Sequence, residues 1–254
     1  KNTEEERLLG VSLTGIMDNE LTNGKKHGLE KTLEALREIA VETNKEWSAI
    51  FGIPQSTAIT CVKPSGTVSQ LVDSSSGIHP RHSSYYIRTV RGDNKDPLTN
   101  FMKDSGIPSE ADFMKPDTQT VFSFPMKSPK KSVVRNDMTA IEQLEMWLLY
   151  QRHWCEHKPS VTVSVRDEEW MEVGAFVFKH FDEMSGVSFL PHSDHTYQQA
   201  PYQDCTEAVY NDFSSKFTHI DWNKFTDYEK EDNTNSSQTF ACSGDSCEIV
   251  DIGA

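Results

Sequence analysis

Between residues 29 and 47, apolar side chains recur at Leu29, Leu33, Leu36, Ile39, Ala40 and Trp47 with charged residues between them. This i, i+3, i+4 spacing predicts an amphipathic helix. Upstream, the glycine-punctuated apolar stretch Gly10 to Gly15 reads as a strand or the start of a helix. Beyond the turn Gly52-Ile53-Pro54, the β-branched run Thr57 to Val62 predicts a buried strand. Tyr85 to Val90 and Thr118 to Phe124 alternate as strands do, with a polar stretch, Asp93 to Pro97, and a short helical segment, Leu98 to Lys103, between them. Met138 to Cys155 predicts a second long helix, carrying Ile141, Leu144, Leu148 and Trp154, capped by Asp137 and stopped by Pro159. Ser160 to Val165 is a strand. Asp167 caps a third helix with Trp170, Val173, Phe176, Val177 and Phe181 on one face, and Val187 to Leu190 is a further short strand. Strands alternating with helices imply right-handed crossovers, a largely parallel sheet and ligands near the carboxyl ends of strands, the α/β class.

From about Ser214 the pattern changes. Residues 229–238 (EKEDNTNSSQ) contain no apolar side chain, and such a segment cannot bury enough surface to order itself. The expected organisation is an α/β portion over 1–213, a partly disordered linker over 214–241, and a short tail over 242–254. No internal repeat is visible at a period of 20–50 residues.

Composition narrows the partners. The 254 residues carry 25 Lys+Arg against 39 Asp+Glu, a formal net charge of −14. This balance argues against non-specific binding to nucleic-acid backbones or anionic membranes, both of which need basic excess. A phosphate-bearing ligand therefore requires a locally built site. No apolar run reaches the ~20 residues that span a bilayer, and no signal peptide is present, so the expectation is a soluble, cytoplasmic protein. The chain opens at Lys1 without a methionine or a clear domain start, which suggests the C-terminal piece of something longer. Its five cysteines, Cys61, Cys155, Cys205, Cys242 and Cys247, are odd in number and irregular in spacing. Reduced thiols are the default.

Two places carry candidate chemistry. The first is where the strand ending at Val62 runs into Lys63-Pro64-Ser65-Gly66-Thr67-Val68-Ser69. Gly66 permits close backbone approach, and the hydroxyls of Ser65, Thr67 and Ser69 can donate. A following helix start would aim free N–H groups at an anion, and Lys63 can add charge. The spacing is neither GxxxxGK[ST] nor GxGxxG. The competing reading, of equal weight on the residues alone, is a turn whose Ser and Thr cap a helix with no ligand. The second place is Cys242-Ser243-Gly244-Asp245-Ser246-Cys247, two thiols five positions apart behind the polar linker. The small residues between them allow a disulfide to close. A structural zinc site would need four ligands, and no second CxxC or nearby His exists. A mobile dithiol suits a shuttle that exchanges with a buried disulfide and then meets an external reductant; two incidental tail cysteines are the plainer alternative. About 28 linker residues would give an r.m.s. span on the order of 30 Å. The histidines, including His192 and His195, form no helical ligand pair, so no metal site is expected. Asp167-Glu168-Glu169 reads as a favourable helix start.

Cys61-Val62-Lys63-Pro64-Ser65-Gly66-Thr67-Val68-Ser69, then Gly77-Ile78-His79-Pro80 and Tyr85-Tyr86-Ile87-Arg88, resembles the phosphate loop and following strand of ribonucleotide reductases. With His157-Lys158-Pro159-Ser160-Val161-Thr162-Val163, Glu168-Glu169-Trp170, Phe189-Leu190-Pro191 and His195-Thr196-Tyr197-Gln198-Gln199-Ala200-Pro201-Tyr202, it is similar to the adenosylcobalamin-dependent, monomeric (class II) ribonucleoside-triphosphate reductases. The likeness runs from about Gly10 to the end of the chain and covers the last third or so of a family member.

The resemblance implies the C-terminal part of a ten-stranded α/β barrel, with a flexible tail. It implies that Pro64, Ser65, Gly66, Thr67, Val68 and Ser69 bind the phosphates of a ribonucleoside triphosphate, and that Cys242 and Cys247 re-reduce an active-site disulfide before being reduced by thioredoxin or a similar dithiol reductant. It also implies adenosylcobalamin as cofactor, with most of its site outside this chain, and a monomer. The family's thiyl cysteine lies in N-x-C-x-E, which does not occur here, so the chain alone is expected to be inactive. Cys155, preceded by His153 and followed by Glu156, does not fit that pattern, and Cys61, Cys155 and Cys205 are expected to be structural. The dimeric relatives' CxxC-rich zinc tails and the anaerobic class's glycyl-radical segment are also absent from this sequence. The alternative of another class is a non-catalytic phosphate- or nucleotide-binding α/β domain with a redox-sensing tail. An upstream N-x-C-x-E would decide between them.

Overall fold

In the computed structural model the described residues are 2–192, 198–217 and 219–230. Along the chain run α1 (Asn2–Glu6), β1 (Leu8–Ser12), α2 (Leu29–Phe51), β2 (Ala58–Cys61), α3 (Val68–Leu71), β3 (Tyr85–Asp93), α4 (Pro97–Asp104), β4 (Ser109–Ala111) and β5 (Gln119–Lys127). There follow α5 (Ala140–His153), β6 (Val161–Val165), α6 (Trp170–Lys179), β7 (Val187–Pro191), β8 (Tyr202–Asp204) and α7 (Glu207–Ser215). The α/β class holds. The division into units does not follow chain order: one unit takes residues 2–81 and 129–192, the other the remainder.

The first unit contains two parallel pairs, β1 with β2 and β6 with β7. The β6–β7 ladder runs from Val161 opposite Val187 to Val165 opposite Pro191. Val161, Val163 and Val165 point into the core, as the period of two requires. Against them pack Leu144, Trp147, Leu148 and Tyr150 of α5 together with Leu29 and Leu33 of α2. Each large side chain sealed there is worth about 1.5–3 kcal/mol against exposure. Two polar tips are satisfied inside: the Trp147 indole N–H donates to Pro159 O at 3.2 Å, and the Tyr150 hydroxyl donates to Thr22 O at 2.8 Å.

Helix ends depart from expectation for local reasons. α5 is capped by Thr139, whose hydroxyl accepts from Glu142 N while the Glu142 carboxylate accepts from Thr139 N. This reciprocal box outcompetes Asp137, which lies in a preceding 3₁₀ turn and accepts from Val134 N. Asp167 does not cap α6: it lies in a preceding 3₁₀ turn whose start is closed by Glu169 accepting from Arg166 N, and α6 begins without a side-chain cap. α2 stops where Gly52 turns left-handed at φ 67 and its N–H returns to Ala49 O. The apolar stripe of α2 is only partly covered within its unit: Leu29 and Leu33 are buried, but Leu36, Ile39 and Trp47 remain exposed.

The second unit corrects the expectation of a largely parallel sheet. Its four strands, in the order β4-β5-β3-β8, are antiparallel throughout. β3 and β5 pair over nine positions, from Tyr85 opposite Lys127 to Asp93 opposite Gln119. Asp96 caps α4, accepting from Leu98 N at 2.8 Å with Pro97 in the first turn. Phe101, Met102, Ile107 and Phe122 form the core of this unit. The start of the stretch expected to be linker is packed here, with Phe217, Ile220, Phe225 and Tyr228 against that core. The aromatic pairs Phe101–Phe225 and Phe124–Phe217 lie at 5.6 and 5.7 Å between ring centroids. Among the described residues the strands form three separate sheets and no closed barrel, and no helix is long and apolar enough to cross a membrane.

Candidate functional site

The loop at 63–69 leaves β2 at a point held from several sides. Glu156 Oε2 accepts from the backbone N–H groups of Ile59 and Thr60 at 3.0 and 3.1 Å. The indole N–H of Trp154 donates to Cys61 O at 2.7 Å, and Ser12 Oγ accepts from Lys63 N at 3.0 Å. The strand therefore delivers the loop from a fixed position at its carboxyl end, where α/β proteins place ligands.

The loop closes through Ser69. This residue is fully buried, its N–H donates to Ser65 O at 3.1 Å, and its hydroxyl donates to the same carbonyl. The Ser69 hydroxyl thus shapes the loop and is not presented to a ligand. Thr67 precedes α3 in a helical conformation and makes no side-chain cap, so the capping arrangement that competed with anion binding is absent. Among the described residues, the N–H groups of Gly66, Thr67 and Val68 and the hydroxyls of Ser65 and Thr67 take no hydrogen-bond partner. Thr67, Val68 and Lys63 are exposed, Ser65 and Gly66 half-buried. α3 is a single turn, too short for aligned peptide dipoles to sum appreciably. The available donors are individual N–H and hydroxyl groups beside the Lys63 ammonium, a set that accepts anionic oxygens.

Behind the loop stands Gly77 at φ 49, where a Cβ would come 3.4 Å from Lys63 O and from Pro64 Cα. The backbone of the loop therefore rests directly on the turn at 74–78, a contact only glycine leaves unstrained. Next to it, His79 bridges two segments. Its Nδ1–H donates to Ser76 O at 2.9 Å, and its Nε2 accepts from Thr162 N at 3.0 Å, which fixes the neutral Nδ1–H tautomer. Burial pushes the His79 pKa below its usual value, with the Ser76 bond opposing.

Arg81 lies 4% exposed, with Nε and Nη2 on the Asp18 carboxylate at 3.0 and 2.9 Å, Nη1 on the Asp73 carboxylate at 3.0 Å and Nη2 on Asp73 O at 2.6 Å. Nothing in the sequence pattern singled out Arg81 or Asp18. A lone arginine after Pro80 carries no periodic signal, and the ion pair joins positions 63 apart.

Of the sequence-predicted residues, the structure places Pro64 to Thr67 in the loop after β2 and Val68 and Ser69 in the single turn of α3. Cys242 and Cys247 lie outside the described residues. Cys61, Cys155 and Cys205 are free thiols. Burial, with Cys61 nearby, pushes the Cys155 thiol up to about 12, the state of an unreactive packing residue. Among the described residues no group of three or more His, Cys, Asp or Glu side chains is placed to hold a metal ion. A cavity of about 400 Å³ is lined by Glu34, Glu38, Glu42, Glu156, Arg37 and Val41. Its acidic wall does not fit a corrin ring, which needs broad apolar contact and amide partners.

No protein-family model matches the chain. Among curated proteins, it is 30% identical over 250 residues to a probable adenosylcobalamin-dependent ribonucleoside-triphosphate reductase of Dictyostelium discoideum, a match covering 96% of this chain and 32% of that protein. It is 29% identical over 208 residues to the adenosylcobalamin-dependent ribonucleoside-triphosphate reductase of Euglena gracilis, covering 81% of this chain and 28% of the relative. The protein of the same name from Levilactobacillus brevis is 28% identical over 239 residues, with coverage of 83% and 32%. In fold, the chain is similar to a crystal structure of a B12-dependent (class II) ribonucleotide reductase, with a TM-score of 0.76 at 24% identity, over 90% of this chain and 36% of the other. It spans about a third of the length of the curated relatives it matches. In sequence over nearly its whole length, and in fold, the chain is similar to about one third of the length of adenosylcobalamin-dependent ribonucleoside-triphosphate reductases.

Proposed function

We propose that the protein serves the reduction of ribonucleoside triphosphates to 2′-deoxyribonucleoside triphosphates, with this chain supplying the substrate-phosphate loop, Pro64 to Ser69, and a redox dithiol, Cys242 and Cys247. The observation that carries the reading is the row of partnerless donors at Ser65, Gly66, Thr67 and Val68 at the end of β2, in a chain homologous to reductases of that name. Neutral N–H and hydroxyl donors bind phosphate oxygens without a basic surface, which reconciles a triphosphate substrate with a net charge of −14. As the 2′-hydroxyl leaves as water, an active-site cysteine pair outside this chain would supply the two electrons and two protons and become a disulfide; the tail dithiol would reduce that disulfide by exchange, becoming a disulfide itself that thioredoxin or a similar dithiol returns to thiols.

On this reading, the parallel pairs β1–β2 and β6–β7 belong to a ten-stranded α/β barrel completed by the rest of the reductase, and the enzyme is a monomer. Adenosylcobalamin is the cofactor of the complete enzyme; no residue of this chain is assigned to hold it. The test is Gly66→Val in the complete enzyme. Gly66 does not occupy a positive φ, so a side chain there meets no left-handed backbone strain, while a β-branched group obstructs the approach of a phosphate to the loop amides. KM for the nucleoside triphosphate should rise by about tenfold or more at nearly unchanged thermal stability. An unchanged KM would remove the loop from the site.

A further inference from the structure

We propose that Arg81 is the positioning residue of the phosphate loop, holding it in its anion-accepting shape from behind by gripping the turn that follows α3; this rests on the loop reading above. The connection is a continuous chain of short hydrogen bonds within one unit. The Arg81 guanidinium donates to Asp73 O at 2.6 Å. Asp73 is held at a positive φ of 47, a conformation a non-glycine residue keeps only when its surroundings enforce it. The next residue, Ser74, donates its N–H to Ser69 O at 2.8 Å. Ser69 in turn ties Ser65 O with both its amide and its hydroxyl, so the two ends of the loop are drawn together. Four bonded steps thus lead from a buried guanidinium to the peptide units that present the free donors of Ser65 to Val68.

The other half of the guanidinium is anchored so that it cannot follow the loop if the loop moves. Asp18 receives Nε and Nη2 in a two-point fork. The same carboxylate accepts from Ser75 N at 2.7 Å and from the Ser132 hydroxyl at 2.8 Å. The backbone of Arg81 is pinned as well, its N–H on Val133 O at 2.9 Å and its carbonyl accepting from Arg135 N at 2.8 Å. Asp18 is 13% and Arg81 3% exposed at the side chain, so water screens little of the pair. The carboxylate of Asp73, 65% exposed, contributes less than its main-chain carbonyl. Lysine keeps the charge but has neither the planar fork nor the reach to serve Asp18 and Asp73 O together.

The experiment compares wild-type, Arg81→Lys and Asp18→Asn forms of the complete enzyme. It measures KM and kcat for the nucleoside triphosphate, the inhibition constant of inorganic tripolyphosphate, and the thermal midpoint. In Arg81→Lys, KM and the tripolyphosphate inhibition constant should rise together, by about tenfold, while kcat stays within about threefold. Asp18→Asn, which retains shape and one acceptor oxygen, should give a smaller rise in both. A lowered thermal midpoint with both constants unchanged would reduce Arg81 to a fold-stabilising residue and overturn the proposal. A rise in KM without any change for tripolyphosphate would place its effect elsewhere in the substrate site, and overturn it equally. If tripolyphosphate does not compete in the wild-type enzyme and Gly66→Val leaves KM unchanged, the loop reading itself fails, a result distinct from the first two.

Discussion

The backbone amide of Thr162, at the start of β6, donates to Nε2 of His79 at 3.0 Å, while Nδ1 of the same ring donates to Ser76 O at 2.9 Å. One imidazole thus joins the turn beneath the phosphate loop to a core strand, and it does so only in the neutral form. Protonation would set Nε2–H against an N–H.

Stability should therefore depend on pH through His79. Burial lowers its folded-state pKa below the 6.5 of a free histidine, so between the two values the unfolded chain binds more protons than the folded one. The contribution of His79 is full above pH 6.5 and is lost as pH falls through the lowered folded-state value. Thermal midpoints of the wild type and of His79→Gln, measured from pH 7.5 down to about pH 5, should converge as the pH falls, because glutamine can accept and donate at every pH. Parallel curves would exclude the imidazole as the source.

Glu156 is expected to matter for folding more than its exposure suggests. Its Oε2 is the acceptor for two amides, Ile59 and Thr60, in residues 3% and 0% exposed. Glu156→Ala leaves both without that partner, at a cost of about 1–3 kcal/mol for each amide that water cannot reach. Glu156→Gln retains an acceptor oxygen and should lose less than half as much. Urea denaturation of the three forms measures the difference.

The dithiol reading predicts a separation between single and repeated turnover. Cys242→Ser or Cys247→Ser in the complete enzyme should complete about one turnover after pre-reduction, yet fail with thioredoxin as the reductant. Rapid quench for the first turnover and steady-state assays for the rest distinguish the two regimes. Sustained thioredoxin-driven activity in the double variant would sink the shuttle.

Much of this fold is a local matter, and the chain states it openly. The periodicity of residues 29–51 and 140–153 makes helices because burying one stripe requires that spacing, and a β-branched run at Thr57 to Val62 followed by Lys-Pro-Ser-Gly-Thr makes a strand that must turn. The strand, the loop and the start of α3 were legible for that reason, whereas the similarity to the reductases rested on particular motifs such as Lys63 to Ser69 and Gly77 to Pro80. Cap identity was less so: Thr139 and Asp137 are both good caps on paper, and the reciprocal bond to Glu142 decides between them.

Pairing and burial belong to the tertiary structure. Alternation in Tyr85 to Val90 and Thr118 to Phe124 predicts extended chain but is indifferent to direction; the nine-position antiparallel register between β3 and β5 is set only when the two segments meet. The face of α2 holds apolar residues along its length, yet its own unit covers only Leu29 and Leu33. Ser69 reads as a ligand donor until the loop closes and turns its hydroxyl onto Ser65 O. Arg81 is one cation among 25 Lys+Arg until Asp18, Asp73 and Val133 surround it. Periodicity fixes which residues can share a face, because that is geometry within one element. Which distant charge or carbonyl a side chain meets follows only from packing the elements together, and there this protein's proposed site acquires its shape.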